Sequence, residues 1–332
     1  MSVLVRPLMA LRSPAGPRGR LVTLIFHRVL PRVDPLFPDE VDAGRFDAIC
    51  GWLRDWFQVL PLGEAVQRLR DGSLPARAAA ITFDDGYADN HEIALPILRR
   101  HRLPATFFIA TDFLDGGRMF NDSIVEAVRG AHARALDLSD LGVDLPGPVA
   151  LDAPAARRRV IERTIAAVKY LPPELRAERV AEVARRCAAA LPDDLMMTRG
   201  QVRALHRAGM EIGAHTACHP ILARLTPERA RDEIVRGRRE LEDILSAPVP
   251  LFAYPNGKPG EDYHAGTVEI VRELGFEAAV TTAWGAAAAD TDPFQIPRFT
   301  PWDRSRLRFG WRLAGNYARP SRVQAASAVE AR

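Results

Sequence analysis

Lysine is almost absent from this chain: of its 45 lysine and arginine residues only Lys169 and Lys258 are lysines. With the abundance of alanine, this reads first as base composition and only second as function. Cysteine is equally scarce. Cys50, Cys187 and Cys218 are odd in number and unpaired in spacing, which excludes a disulfide framework and fits a reducing compartment. No apolar run approaches the ~20 residues of a membrane-spanning helix. The first residues, interrupted by Arg6, Arg12, Arg18 and Arg20, lack the continuous apolar core of a secretion signal. A cytoplasmic protein is therefore expected, with no membrane span and only peripheral membrane association left open. A large excess of one charge is missing too. The formal net charge is +3, and the arginines are scattered over the predicted helices, so nucleic acid is not an expected partner. Residues 1–20 and 319–332 are expected to be frayed tails.

What is present is enough apolar material for one large domain: 332 residues, 47% hydrophobic and 26% charged. Short apolar runs rich in β-branched and aromatic residues recur at Leu21–His27, Ala79–Phe83, Ala105–Ile109, Met210–Ala214, Leu251–Tyr254, Ala278–Thr282 and Phe294–Pro297. Their hydrophobicity is continuous rather than alternating, as in strands covered on both faces. Between them, Arg45–Phe57, Leu62–Arg70, Ala94–His101, Pro227–Leu245 and Gly266–Leu274 carry apolar residues at helical spacing. The alternation predicts an α/β fold with a closed or nearly closed barrel. From about residue 121 to about residue 200 the rhythm stops, and helical periodicity occupies Ala155–Tyr170 and Pro173–Ala190. This segment is expected to be a helical insertion between the third and fourth strands of one domain spanning 21–318, capping the site, facing a partner or simply solvated.

The residues that suggest chemistry fall at the carboxyl ends of predicted strands: His27, the pair Asp84 and Asp85, His215, and the turn Tyr254-Pro255-Asn256-Gly257. That rim is where parallel α/β folds bind ligands. Adjacent aspartates at the end of a buried strand repel each other, so a cation or a proton is expected to absorb the excess charge. Neighbouring side chains diverge, leaving one carboxylate to ligate a metal and the other to face a substrate, while Gly86 lets the chain turn. An Asp-Asp-Gly run taken alone also suits a helix N-cap. His215 and His219, four residues apart, are predicted to share one side of a helical turn within reach of a common ion. Thr216 rather than glutamate follows the first histidine, so the base must come from elsewhere. Cys218 is a soft donor in type but is predicted to point away from the histidine face.

These two runs together resemble the polysaccharide deacetylase family, the carbohydrate esterases with a NodB-type domain. Thr82-Phe83-Asp84-Asp85-Gly86 and His215-Thr216-Ala217-Cys218-His219 match its first two motifs intact, and the resemblance extends from about Leu21 to about Pro301. It implies a distorted (β/α)7 barrel, one divalent metal ion, usually zinc, and hydrolysis of an N- or O-acetyl group on a carbohydrate. Carried over residue by residue, Asp84 becomes the general base, and Asp85, His215 and His219 become the metal ligands. The third motif departs from the common pattern: Phe252-Ala253-Tyr254-Pro255-Asn256-Gly257 lacks its arginine and is similar to the branch that trims exopolysaccharides such as poly-N-acetylglucosamine. Tyr254 and Asn256 are therefore oxyanion or substrate candidates, with a backbone N–H such as that of Asn256 the physical means. No histidine follows His264 to match the family's late acid, whereas Phe26-His27-Arg28-Val29 resembles the early histidine motif of that same branch, which makes His27 the candidate general acid. Arg298 is expected to replace the missing arginine by orienting Asp84, and Trp284 or Trp302 to form an apolar wall for the acetyl methyl or a sugar face.

The expectation is thus a metal-dependent hydrolase that deacetylates a surface polysaccharide or its precursor. A deacylase or deformylase of a lipid- or nucleotide-linked sugar, and a catalytically idle glycan-binding barrel, are the alternatives.

Overall fold

The computed structural model describes residues 2–145 and 147–319, with side chains from Val5 onward. Along the chain run α1 (Ser2–Arg12), β1 (Val22–Phe26), α2 (Ala43–Trp56), β2 (Gln58–Val59), α3 (Leu62–Arg70), β3 (Ala78–Phe83), α4 (Leu95–His101) and β4 (Thr106–Ile109). Then follow α5 (Phe120–Arg129), β5 (Ala135–Leu136), β6 (Val149–Ala150), α6 (Pro154–Val168), α7 (Pro173–Cys187), α8 (Arg199–Arg207), β7 (Glu211–Ala214), α9 (Pro227–Leu245), β8 (Leu251–Ala253), α10 (Ala265–Glu273), β9 (Ala278–Val280), β10 (Arg298–Phe299) and α11 (Arg306–Tyr317).

The described residues form two compact units, one within 1–32, 41–114 and 197–332, the other within 33–40 and 115–196. In the first, parallel strands run in the order β10-β1-β3-β4-β7-β8-β9, with the short β2 beside the start of β3. A parallel bridge from Val280 to Ile296, next to the pairing of Thr23 with Arg298, brings the two ends of this row together into a seven-stranded barrel. The strands are buried on nearly every residue, as their continuous apolar runs require. Phe83 stacks on Phe107 at 4.7 Å between ring centroids and on Phe26 at 5.3 Å, knitting three adjacent strands to α2 through Phe46. Helix starts are set by local chemistry: Asp42 accepts from Gly44 and Arg45 N–H, and Thr226 accepts from Arg229 N–H ahead of Pro227.

The last strand falls later than expected. Residues 293–295 make a short 3-10 turn, held by the Asp292 carboxylate on Phe294 N–H, and the strand begins at Arg298.

The expected N-terminal tail is a helix instead. Val5 and Met9 of α1 are fully buried against α11, Arg12 donates to Ala314 O at 2.8 Å, and Arg20 donates to Tyr317 O at 2.5 Å. Burial of that apolar stripe and satisfaction of the last carbonyls of α11 order the segment. Beyond Arg319, the expected C-terminal tail lies outside the described residues.

The second unit is more than a run of helices. Its α5, α6 and α7 pack around Ile124, Val128, Val160, Ile161 and Val183, and a small antiparallel pair, Ala135 with Ala150 and Leu136 with Val149, adds a hairpin absent from the sequence reading. It also recruits residues 33–40 from upstream, where Asp34 takes Arg129 in two hydrogen bonds of 2.9 and 2.6 Å. Among the described residues no helix is long and apolar enough to cross a membrane.

Candidate active site

The end of β3 delivers the two aspartates in opposite directions because the backbone reverses there: Asp85 has φ 76° and Gly86 φ 94°. Asp84 N–H continues the ladder to Phe26 O at 3.0 Å, while its carboxylate, buried with 2% exposure, meets Arg298 from β10. Two parallel hydrogen bonds of 2.7 Å join the guanidinium to both carboxylate oxygens. Arg298 is itself buried and fixed by Thr281 O at 2.9 Å and Thr82 Oγ1 at 3.3 Å. Burial alone raises the Asp84 pKa, but Arg298, with His215 and His27, outweighs it and holds the acid below its ordinary value.

Asp85 faces the other way. Its Oδ1 lies 3.4 Å from His215 Nε2 and 3.4 Å from His219 Nε2, is buried, and has no hydrogen bond. The three candidate donor atoms lie within 4.8 Å of one another. His215 Nδ1 sits 2.8 Å from Ala253 O, an atom that only accepts, so Nδ1 carries the proton and Nε2 offers its lone pair toward Asp85. Burial opposes charge on Asp85, but the facing imidazoles pull its pKa far below the ordinary carboxylate range. His215 is likewise disfavoured as a cation by burial, yet the two carboxylates raise its pKa, whereas burial pushes His219 down to about 4. A buried carboxylate oxygen without a hydrogen bond, beside two imidazole nitrogens, is a donor set that fits a divalent cation.

The two histidines do not share a helical turn. Residues 215–219 form an irregular loop in which Thr216 (φ 63°) and His219 (φ 53°) are left-handed, and His219 N–H donates to Thr216 Oγ1 at 3.1 Å. The loop is seated by Gly237 of α9, where an added Cβ would stand 2.4 Å from Thr216 O, and by Glu233, which accepts Cys218 N–H at 2.9 Å. Cys218 is exposed and outside the donor cluster. Sequence alone singled out neither Gly237 nor Glu233; for Gly237 the available signal is a glycine inside an otherwise strong helix pattern.

His27 is exposed at the end of β1, near enough that its charge lowers the pKa of both Asp84 and Asp85. Asn90 donates to its carbonyl at 2.8 Å, and the buried Asp89 accepts Val29 N–H at 3.0 Å and Arg28 Nε at 2.8 Å. Asp89 and Asn90 therefore hold the strand end that carries His27.

Tyr254 is a correction. Its side chain is fully buried, stacks on Tyr263 at 3.9 Å and donates to Phe294 O at 3.1 Å, so it belongs to the core and is not available to a ligand. Asn256 occupies the following turn at φ 57°, its carbonyl accepting from Thr282 Oγ1. Trp284 and Trp302 follow β9 and β10, each 48% exposed with rings 4.9 Å apart, in the sector of the barrel next to β1.

A family model described as polysaccharide deacetylase matches residues 71–139 and 178–279, just over half of the chain. The curated Bacillus subtilis (strain 168) protein YxkH, provisionally named a polysaccharide deacetylase, is 22% identical over 282 residues, covering 84% of this chain and 71% of its own. Among solved structures, IcaB from Ammonifex degensii aligns with a TM-score of 0.56 at 19% identity over 92% of this chain and 98% of that one. The Streptococcus pyogenes deacetylase PplD, solved in complex with acetate, gives 0.56 at 19% identity over 85% and 92%. At such identities the solved structures speak for the barrel fold.

Proposed function

The chain belongs to the polysaccharide deacetylase family, and from that premise we propose that it is a divalent-metal hydrolase removing acetyl groups from amide nitrogen on a carbohydrate, a surface polysaccharide or its precursor. The observation that carries this reading is the buried Asp85 oxygen without a hydrogen bond between His215 and His219, one residue from an ionised Asp84.

Asp85, His215 and His219 would hold the ion, for which a mixed nitrogen and oxygen set favours zinc. When bound, such an ion supplies a Lewis acid for the acetyl carbonyl and acidifies water. The chain's own residues do the rest. Asp84, kept anionic by Arg298, takes the proton from the attacking water as its oxygen bonds to the acetyl carbon. The carbon–nitrogen bond then breaks, His27 gives a proton to the departing sugar nitrogen, and acetate and a free amine result. Arg298 is a positioning residue that reaches the reaction only through Asp84. The Asn256 backbone N–H is assigned to the carbonyl oxygen as charge develops there, and the Trp284 indole to a sugar face.

The test is turnover of acetylated chitooligosaccharides, acetylated sugar nucleotides and acetylated xylan, each with and without chelator. Asp84→Asn is expected to keep stoichiometric metal and to lose activity by roughly 10²- to 10⁴-fold, the range of one acid–base group. Parental turnover in that variant, or chelator-insensitive activity, overturns the assignment.

A further inference from the structure

Arg77 immediately precedes β3 and Asp84 immediately follows it, so the two mark opposite ends of the barrel, about 23 Å apart at ~3.3 Å per strand residue. Around Arg77 lies a cavity of about 520 Å³ lined by Arg6 of α1, Asp55 and Trp56 at the end of α2, and Arg306 of α11. Its charges do not balance. Among the described residues three guanidiniums line it with a single carboxylate, and Asp55 is already shared between Arg306 at 2.7 Å and Arg54 at 3.3 Å. Arg77 Nε is buried with no hydrogen-bond partner, and among the described residues neither Arg77 nor Arg6 has a carboxylate. Burial and the neighbouring charge of Arg6 both work against the cation at Arg77, which also holds a left-handed backbone at φ 60°. Arg306 is fixed in place by lying over the Trp56 ring at 4.9 Å.

Two guanidiniums without carboxylates of their own, Arg6 and Arg77, beside a third that shares Asp55, match the oxygens of a tetrahedral oxyanion, which accepts several charge-assisted N–H bonds at once. We propose that this cavity, formed by Arg6, Arg77 and Arg306, binds a phosphate group, either inorganic phosphate or the headgroup of an anionic phospholipid. The surroundings suit both sources. Neither α1 nor α11 contains an aspartate or glutamate, and Leu11 and Trp311 are exposed on them.

The experiment is calorimetric titration of inorganic phosphate into the metal-loaded full chain at constant ionic strength, beside Arg6→Gln, Arg77→Gly and the control Arg308→Gln. The Arg77→Gly change relieves the left-handed backbone while removing the guanidinium, so a loss of binding there is not a folding artefact. Binding is expected to weaken by about tenfold or more in R6Q and R77G, as for loss of a charge-assisted contact, and to be unchanged in R308Q. Sedimentation with phosphatidylglycerol and with phosphatidylcholine vesicles separates the sources: retention on the former alone, lost in R6Q and R77G, assigns the headgroup, and phosphate binding without retention assigns the free anion. Phosphate binding or vesicle retention that R6Q and R77G leave intact, or the absence of both, overturns the proposal. Deacetylase turnover is expected to be the same in both variants, so failure here is distinct from failure of the metal-site reading.

Discussion

Replacement of Arg298 by methionine tests whether the Asp84 carboxylate depends on a buried partner. Both groups are almost fully buried and joined by two 2.7 Å bonds. Truncating one member of such a pair leaves an uncompensated buried charge and costs on the order of 3–5 kcal/mol near neutral pH. Arg298 also donates to Thr281 O and Thr82 Oγ1, so part of the loss is unrelated to Asp84. A double-mutant cycle with Asp84→Asn isolates the pair. The parent's Asp84 has a pKa lowered in the fold, so its contribution is complete above the unfolded value and fades as pH falls through the folded one. In R298M burial prevails and raises that pKa, so the sign reverses and the variant's deficit shrinks on acidification. Denaturant unfolding of the four proteins at about pH 7.5 and about pH 5 reads both effects, on either side of carboxylates raised by burial. In turnover assays kcat is expected to fall with KM nearly unchanged, because Arg298 does not touch substrate. Equal cost of R298M in the parent and in the D84N variant, or a deficit that does not depend on pH, refutes the reasoning.

Metal affinity should fall on acidification, starting above the ordinary histidine value of about 6.5, where His215 is first protonated, and deepening toward pH of about 4, where His219 follows. Chelator competition across that range measures it, and a flat profile counts against the donor set. Gly237→Ala improves intrinsic helix propensity but drives a methyl onto Thr216 O, so metal affinity should drop by tenfold or more, ~1.4 kcal/mol, while α9 stays helical by circular dichroism. An unchanged affinity would show that the loop yields freely. Met9→Ala should cost roughly 2–5 kcal/mol in denaturant unfolding, since Met9 is fully buried; a cost under about 0.5 kcal/mol would return α1 to the status of a surface appendage.

The barrel was readable in outline because its strands are buried on both faces and so appear as unbroken apolar runs, with β3, β4 and β7 found within a residue or two. Helix α9, between Thr226-Pro227 and Ser246, has local caps and was read to its observed ends. Helix α1 was not readable as ordered, since Pro7 and its arginines resemble a tail; the spacing of Val5 and Met9, four apart, gains meaning only once α11 is there to bury them. The hairpin of the second unit was missed for a related reason: strands of two residues carry no periodicity.

At the site, the coincidence of acids and imidazoles at strand ends identified which residues converge, but spacing misled about how. A spacing of four from His215 to His219 suits a helical turn, yet Pro220 follows directly, and the loop instead uses left-handed Thr216 and His219, a conformation set by Gly237 far along the chain. Tyr254 shows the same limit from the other side. Ala253 spends its carbonyl on His215, and the next side chain then points into the core, where Tyr263 and the Phe294 carbonyl receive it. Residue type therefore carried the donor set, whereas the direction of each side chain depended on backbone angles that nonlocal packing imposes. Metal affinity should accordingly be more sensitive to G237A, which touches no ligand, than to removal of the Tyr254 hydroxyl, which sits two residues from the candidate oxyanion donor.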